Sequence, residues 1–390
     1  MSTTSISVLG LTIALLAVLY QVYLSTLLSV AGVFRKVETF GLDESACKRI
    51  PELQACEKIV LHQSTGILYL ACSDLQSRRR WNPCADLLDV EGKSPTDYVA
   101  TYDPKTSRIT RLTFINFEGD LSVHGMDVVP SDIPGELYVY MVNHRAPQGQ
   151  DPRVVGADSV IELFKTRVGG EQLHHVRTVA DPVISTPNDV VGQADGKAFF
   201  FTNDHGSKVG FSRIWDAFFP TTTIGYCHLD HGCEVAASKI ITSNGIARAS
   251  NDTVYVASTF GGTIAVFHKQ GVDNSLLLKD TIHIGQALDN LAIDSRGNLW
   301  VAAFPKLSDI FQQVKKDPSH IVPTAGFQIS INTGPDSLRG QGYKVEKIFE
   351  NNGTIASGST SVVYDAEREL LFMSGLTSSH LTVCHKLHGN

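Results

Sequence analysis

Three stretches of this 390-residue chain repeat one template, and the repeat limits the possible fold more than any other feature. PNDVVGQADGKAFFFT, SNGIARASNDTVYVAS and LDNLAIDSRGNLWVAA each open on a polar pair containing Asn, then run through an apolar segment, a turn and a second apolar segment. Their opening Asn residues are 188, 244 and 290, spaced by 56 and 46 positions. Strand-built repeats of about 40–55 residues are the mark of propeller blades, each of which buries its faces only by stacking on its neighbours around an axis. Further runs at 66–72 (GILYLAC), 136–142 (ELYVYMV), 297–302 (GNLWVA) and 369–373 (ELLFM) are rich in β-branched and aromatic residues and follow turn residues. The run 263–268 (TIAVFH) returns after a Thr-Phe-Gly-Gly turn, as the second strand of a hairpin does. Roughly 350 residues at this period make about six or seven blades, and six is the expectation. Residues 37–390 therefore read as an all-β, six-bladed β-propeller whose first strands line a central tunnel, with a short helix only near 211–219.

Residues 6–34 differ in kind, carrying no charged side chain. Such a span exceeds the about 20 apolar residues that cross a bilayer, and it lacks the basic n-region of a cleaved signal. Residues 1–36 are thus expected to be a signal-anchor, retained rather than cleaved, that ties the propeller to a membrane. Arg35 and Lys36 behind the span favour a cytosolic propeller by the positive-inside rule, but the cysteines weigh the other way. Cys227 and Cys233 bracket a short loop, Cys72 and Cys84 an Arg-rich one, and Cys47 and Cys384 lie near the ends of the domain, so three disulfides are expected. Cys56 is expected as a buried free thiol. Sequons at Asn251 and Asn352 also suit a lumenal, extracellular or secreted domain. No CxxC pair offers a zinc knuckle, and a net charge of −7 argues against nucleic acid as a partner.

The polar residues that open the blades are Asn188-Asp189, Asn244-Gly245 and Asp289-Asn290, with Glu57 and His124-Gly125 before other strand pairs. Asn, Asp and Gly commonly just end strands. Here apolar residues follow each one on an inner strand, and buried carboxylates and amides need partners. A hard cation serves all of them at once. One Glu, one Asp and three Asn (Glu57, Asn188, Asn244, Asp289 and Asn290) suit calcium, whereas zinc or copper would want His or Cys.

The ordered series Glu57, His124-Gly125, Asn143-His144, Asn188-Asp189, Asn203-Asp204-His205, Ser243-Asn244-Gly245, Asp289-Asn290, Gly358-Ser359-Thr360 and Cys384 resembles the calcium-dependent paraoxonase/arylesterase family. The resemblance implies a six-bladed propeller behind a retained hydrophobic helix, and it assigns the same five residues to a catalytic calcium. It makes His124 and His144 a pair that activates water, joins Cys47 to Cys384 across the closure, and sets Asn203, Asp204 and His205 just behind the ligands. The implied activity is hydrolysis of lactones or aryl esters, with a small-molecule ester or lactone as substrate.

Two departures stand out. The family's second, structural calcium uses an Asp after the ligand Glu, a carbonyl after His-Gly and an Asp after the first ligand Asn. Here Asp189 is present and Met126 could supply the carbonyl, but Lys58 stands at the first position and is expected to replace that ion, its ammonium free to salt-bridge Asp189. Phe304 stands where the family often has a histidine and is expected on the pocket wall. No GxSxG elbow supports a serine hydrolase. The competing readings are a metal-free, non-hydrolytic enzyme like strictosidine synthase and a binding propeller that calcium merely stabilises.

Overall fold

The computed structural model describes residues 11–18, 20–271, 273–334 and 342–385. Six sheets form the six-bladed propeller, antiparallel throughout except where the edge strand Thr113–Ile115 pairs in parallel with Gln172–Val179. Their inner strands, Cys56–His62, Val123–Pro130, Pro187–Gly192, Ser243–Arg248, Ala287–Ile293 and Ser361–Asp365, pack against one another in a closed ring. Apolar clusters fill the space between successive blades; one joins Ile50 and Leu381 of the last blade to Leu68 and Leu70 of the first. Each blade therefore buries both faces only with its neighbours present, as the repeat demanded.

The last blade combines three C-terminal strands with Cys47–Ile50 from the other end of the domain. Cys47 stands opposite Cys384 in register, and the two form a disulfide across 337 residues of sequence. A second disulfide joins Cys227 to Cys233 across one hairpin.

The third corrects the sequence reading. Cys72 bonds Cys56, not Cys84, because Cys56 and Cys72 are register partners on adjacent strands of the first blade. Cys56 is thus no free thiol. The insert after Cys72 carries Cys84 away to the tunnel mouth, where it is the free cysteine among the described residues.

The N-terminal segment is helical over residues 11–18 and again over Ser25–Val30. Val30 is buried with Ala287, Phe304 and Leu307, and Arg35 donates to the carbonyls of Pro305 and Gly285 at 3.0 and 2.7 Å. Among the described residues no helix is long and apolar enough to cross a membrane; Ile6 to Gly10 and Leu19 of the expected span lie outside them. Both sequon residues, Asn251 and Asn352, are exposed. The segment near 211–219 is a 3-10 turn, Phe211–Ala217, while an unforeseen α-helix occupies Leu307–Lys315 and buries Leu307, Ile310 and Val314 on one face.

Candidate active site

The tunnel strands are irregular where their polar residues stand. The inner strand of each of five blades slips register against its partner: at Glu57, His124-Gly125, Asn188-Asp189, Asn244-Gly245 and Asp289-Asn290. A bulge sets extra residues opposite a partner position and re-aims side chains, which is how a strand can turn neighbouring polar residues toward an axis. The sixth inner strand, Ser361–Asp365, pairs without a slip. Gly125 and Gly245 belong to the same device. A Cβ at Gly125 would fall 2.3 Å from the Asn188 carbonyl oxygen, and one at Gly245 would fall 2.6 Å from the Asn290 Cα. Only glycine lets neighbouring bulges approach this closely.

The bulges bring Glu57, Asn188, Asn244 and Asp289 to the floor of a cavity of about 700 Å³, with His124 beside them. Glu57 Oε2, Asn188 Oδ1 and Asn244 Oδ1 are buried without a hydrogen-bond partner. The Asn188 amide nitrogen lies 3.4 Å from both Asp204 Oδ2 and His124 Nε2, and that of Asn244 donates to Thr259 Oγ1 at 3.1 Å beside Asp289, so these contacts use neither side-chain oxygen. Burial pushes the Glu57 carboxyl up, and burial followed by the Glu57 charge pushes Asp289 well up. Asn290 is placed differently: its amide nitrogen donates to Glu57 Oε1 at 2.6 Å, and its oxygen accepts from Lys58 Nζ at 3.3 Å.

Lys58 looks to the other end of the tunnel, where it lines a second cavity, and its ammonium pairs with Asp189. Met126 is buried, with its backbone paired to Met141.

His124 and His144 pack edge to face, with ring centroids 5.3 Å apart. His124 Nε2 lies 3.4 Å from Asn188 Nδ2 and 4.0 Å from Glu57 Oε1, while its Nδ1 is buried and unpartnered. Burial first, then Arg78, pushes His124 down to about 3. Burial and the neighbouring His124 push His144 well below the usual histidine range. His144 Nδ1 meets Ser159 Oγ at 2.9 Å, and its Nε2 meets Cys84 Sγ at 3.5 Å.

The insert after Cys72 roofs this region, a role the sequence reading had not assigned to it. Trp81 is buried and donates its ring N–H to the His144 carbonyl at 2.8 Å. Arg78 is buried as well, with Nε and Nη2 unpartnered. His205 clamps the Cys84 turn to the Phe211–Ala217 segment through Cys84 O at 3.1 Å and Asp216 Oδ2 at 2.8 Å. Asn203 is taken up by its own loop, accepting from the backbone of Ser185 and Thr186. Phe304 corrects another expectation. It packs under the Leu307–Lys315 helix, and the aromatic wall of the cavity consists of Phe211, Phe218, Phe260 and Phe311.

Comparison with known proteins agrees with this architecture. The sequence pattern of the family described as Arylesterase matches residues 118–385. The chain is 26 % identical to serum paraoxonase/arylesterase 2 of Rattus norvegicus over 252 residues, a match spanning 64 % of each protein and so just under two thirds of that relative's length. It is 23 % identical to serum paraoxonase/arylesterase 1 of Rattus norvegicus over 365 residues, 90 % of this chain and 92 % of that one. Serum paraoxonase/lactonase 3 of Mus musculus is 26 % identical over 62 % of each chain. Among solved structures, a luciferin-regenerating enzyme superposes with a TM-score of 0.50 at 16 % identity, over 88 % of this chain and 95 % of that one, which speaks to the fold.

Proposed function

Because the chain belongs to the arylesterase family, we propose that it is a calcium-dependent hydrolase of lactones and aryl esters. The observation that carries this reading is the set of buried, unpartnered side-chain oxygens of Glu57, Asn188 and Asn244 beside the buried Asp289. Buried polar atoms are almost always satisfied, so several left free at one point fit a bound cation. An all-oxygen set carrying two carboxylates suits calcium in charge and hardness. Asn290 spends its amide nitrogen on Glu57 Oε1 and its oxygen on Lys58, so it would serve as a fifth ligand only by giving up the bond to Lys58.

Calcium held by these residues would supply a Lewis acid for the ester carbonyl and positive charge for the oxyanion. The remaining chemistry belongs to the chain. His124 is neutral at ordinary pH and has an unpartnered nitrogen to receive a proton from an attacking water, while the burial that pushes it down to about 3 weakens it as a base. His144 has ring contact with His124 and is fixed by Ser159, so its part is to hold the His124 ring in place. The four aromatic rings at the cavity wall suit an apolar acyl or aryl group. Lys58 fills the place of a second cation, leaving one calcium per chain. Three disulfides and two exposed sequons favour an oxidising, lumenal or extracellular setting.

The test is a panel of lactones and aryl esters assayed on the full chain with calcium, with a chelator, and with calcium restored. Turnover should fall by about 10²-fold or more on chelation and return with calcium, and His124→Ala should lose about 10²–10⁴-fold. Turnover that ignores both the chelator and His124→Ala would overturn the reading.

A further inference from the structure

Beside the oxygen ring lies a ligand cluster of the opposite character. Cys84, His124 and His144 bring one sulfur and two ring nitrogens within 4.8 Å of one another. The Cys84 Sγ to His144 Nε2 distance is 3.5 Å. With metal bonds of about 2.0–2.1 Å to nitrogen and 2.3 Å to sulfur, the N–S edge of a tetrahedral zinc site is about 3.6 Å. The two atoms therefore already stand at ligand spacing.

The surroundings are those of a built site. His144 Nδ1 is held by Ser159 Oγ, the outer hydrogen bond that ligating histidines typically make. His124 Nδ1 is buried and unpartnered, and so is Asp204 Oδ1, from a carboxylate that neighbours the Cys84 thiol. Arg213 and His205 both donate to the Cys84 carbonyl, at 3.2 and 3.1 Å, which fixes the turn that presents the sulfur. A calcium-type ion would refuse sulfur and imidazole, just as a thiophilic ion would be poorly served by the amide oxygens next door. The two clusters sort ions by hardness.

We propose that Cys84, His124 and His144 bind a thiophilic divalent cation of the zinc class, and that its binding shuts off hydrolysis by occupying His124. Asp204 or a water completes the tetrahedron. On binding, the thiol S–H gives its proton to solvent and the sulfur forms the metal bond; nothing is oxidised or reduced. Binding stands independently of the hydrolase reading, whereas its inhibitory consequence rests on it.

The experiment uses the full chain with calcium saturating. Cobalt(II) should bind one equivalent with a sulfur-to-cobalt charge-transfer band, and Cys84→Ser should lose that band. Zinc should slow alkylation of Cys84 by iodoacetamide about tenfold or more in the unsubstituted protein, a readout that does not depend on any variant folding. Where a substrate has been found, half-inhibition by zinc should need about tenfold more metal in Cys84→Ser. Cobalt binding without a thiolate band, together with an alkylation rate indifferent to zinc, overturns the proposal even if the chain hydrolyses nothing. Loss of the band in Cys84→Ser upholds the binding site whatever the hydrolase assays give, and hydrolysis that runs unchanged with zinc bound overturns the inhibitory half.

Discussion

At the cavity floor, Glu57, Asn188 and Asn244 aim buried oxygens that lack a hydrogen bond, and Asp289 joins them. One residue further along two of the same strands, Lys58 and Asp189 meet as a buried ion pair. Both layers gather negative or partly negative oxygen on the axis. The lower layer carries its own cation, held by Asp189, by Asn290 Oδ1 at 3.3 Å and by the Leu291 carbonyl at 3.5 Å. The upper layer has no such side chain, so its carboxyls are driven toward protonation by burial. A tunnel can thus keep one polar layer for structure and leave the next for a ligand. What divides the two layers is the ammonium of Lys58, which pairs with Asp189 in the lower one.

Breaking the lower layer should have the largest effect. Lys58→Ala leaves Asp189 buried and unpaired, and breaking a buried pair from one side costs about 3–5 kcal/mol. Asp189 Oδ2 also accepts from the Ile246 N–H at 3.0 Å, so the loss reaches the neighbouring blade. Denaturant unfolding in chelator should show the drop, and Lys58→Ala with Asp189→Asn should recover most of it. A single variant as stable as the parent would mean that the ammonium does not do a cation's work.

The upper layer should answer in activity instead. Asp289→Ala removes a carboxyl that burial already opposes, so the calcium-free protein should unfold at nearly the parental denaturant concentration. Turnover should fall about 10²–10³-fold, the range for losing one stabiliser of an oxyanion, or about 2.7–4 kcal/mol. Calcium should also stop raising the melting temperature, because a ligand stabilises only a state that binds it. An Asp289→Ala protein that still gains stability from calcium would blur the distinction between the layers.

The upper layer was readable because the repeat places Asn188, Asn244 and Asp289-Asn290 at equivalent points on inner strands. Its buried, one-sided aim was not, since a bulge depends on the partner strand and leaves no fixed signature in the chain that carries it. Lys58 was visible as a departure from a family pattern, and its pairing with Asp189 was expected on charge alone and is what the fold brings about. The cysteines show the limit of reading by proximity: Cys72 and Cys84 bracket a loop, yet Cys56 is the register neighbour of Cys72. That relation follows from which strands pair, not from spacing. The insert read only as an Arg-rich loop, and its roofing role with Arg78 and Trp81 buried was not legible, because residues buried by tertiary packing have no local period. Phe304 failed for a related reason: the residue that replaces a family histidine is drawn into the nearest apolar cluster, under a helix that the sequence had not disclosed.

A third cation, at the tunnel mouth, tests the comparison most gently because it can be switched. His205 Nδ1 faces Asp216 Oδ2 and its Nε2 faces the Cys84 carbonyl; both partners only accept, so both nitrogens must carry protons. Burial works against that charge, but Asp204 and Asp216 outweigh it and raise His205 above its ordinary 6.5. A histidine raised in the folded state contributes stability that is fully present below its unfolded value and is lost as pH rises through the folded one. Deprotonation must give up one of the two bonds, each worth about 1.5–3 kcal/mol when a charged group is involved. The loss should be local, because His205 joins two surface segments and does not sit between blades. Hydrogen exchange at Phe211–Ala217 should therefore quicken, beyond the intrinsic rise with pH, between mildly acidic and mildly alkaline buffer. In His205→Gln this excess should vanish, with the exchange already fast at the acidic end. The buried Lys58–Asp189 pair lies on the inner strands and touches neither of those surface segments, so the protection of the inner strands should stay unchanged. If the inner strands and the tunnel mouth loosen together, the mouth is part of one cooperative unit with the tunnel, and the built-in cations do not act layer by layer.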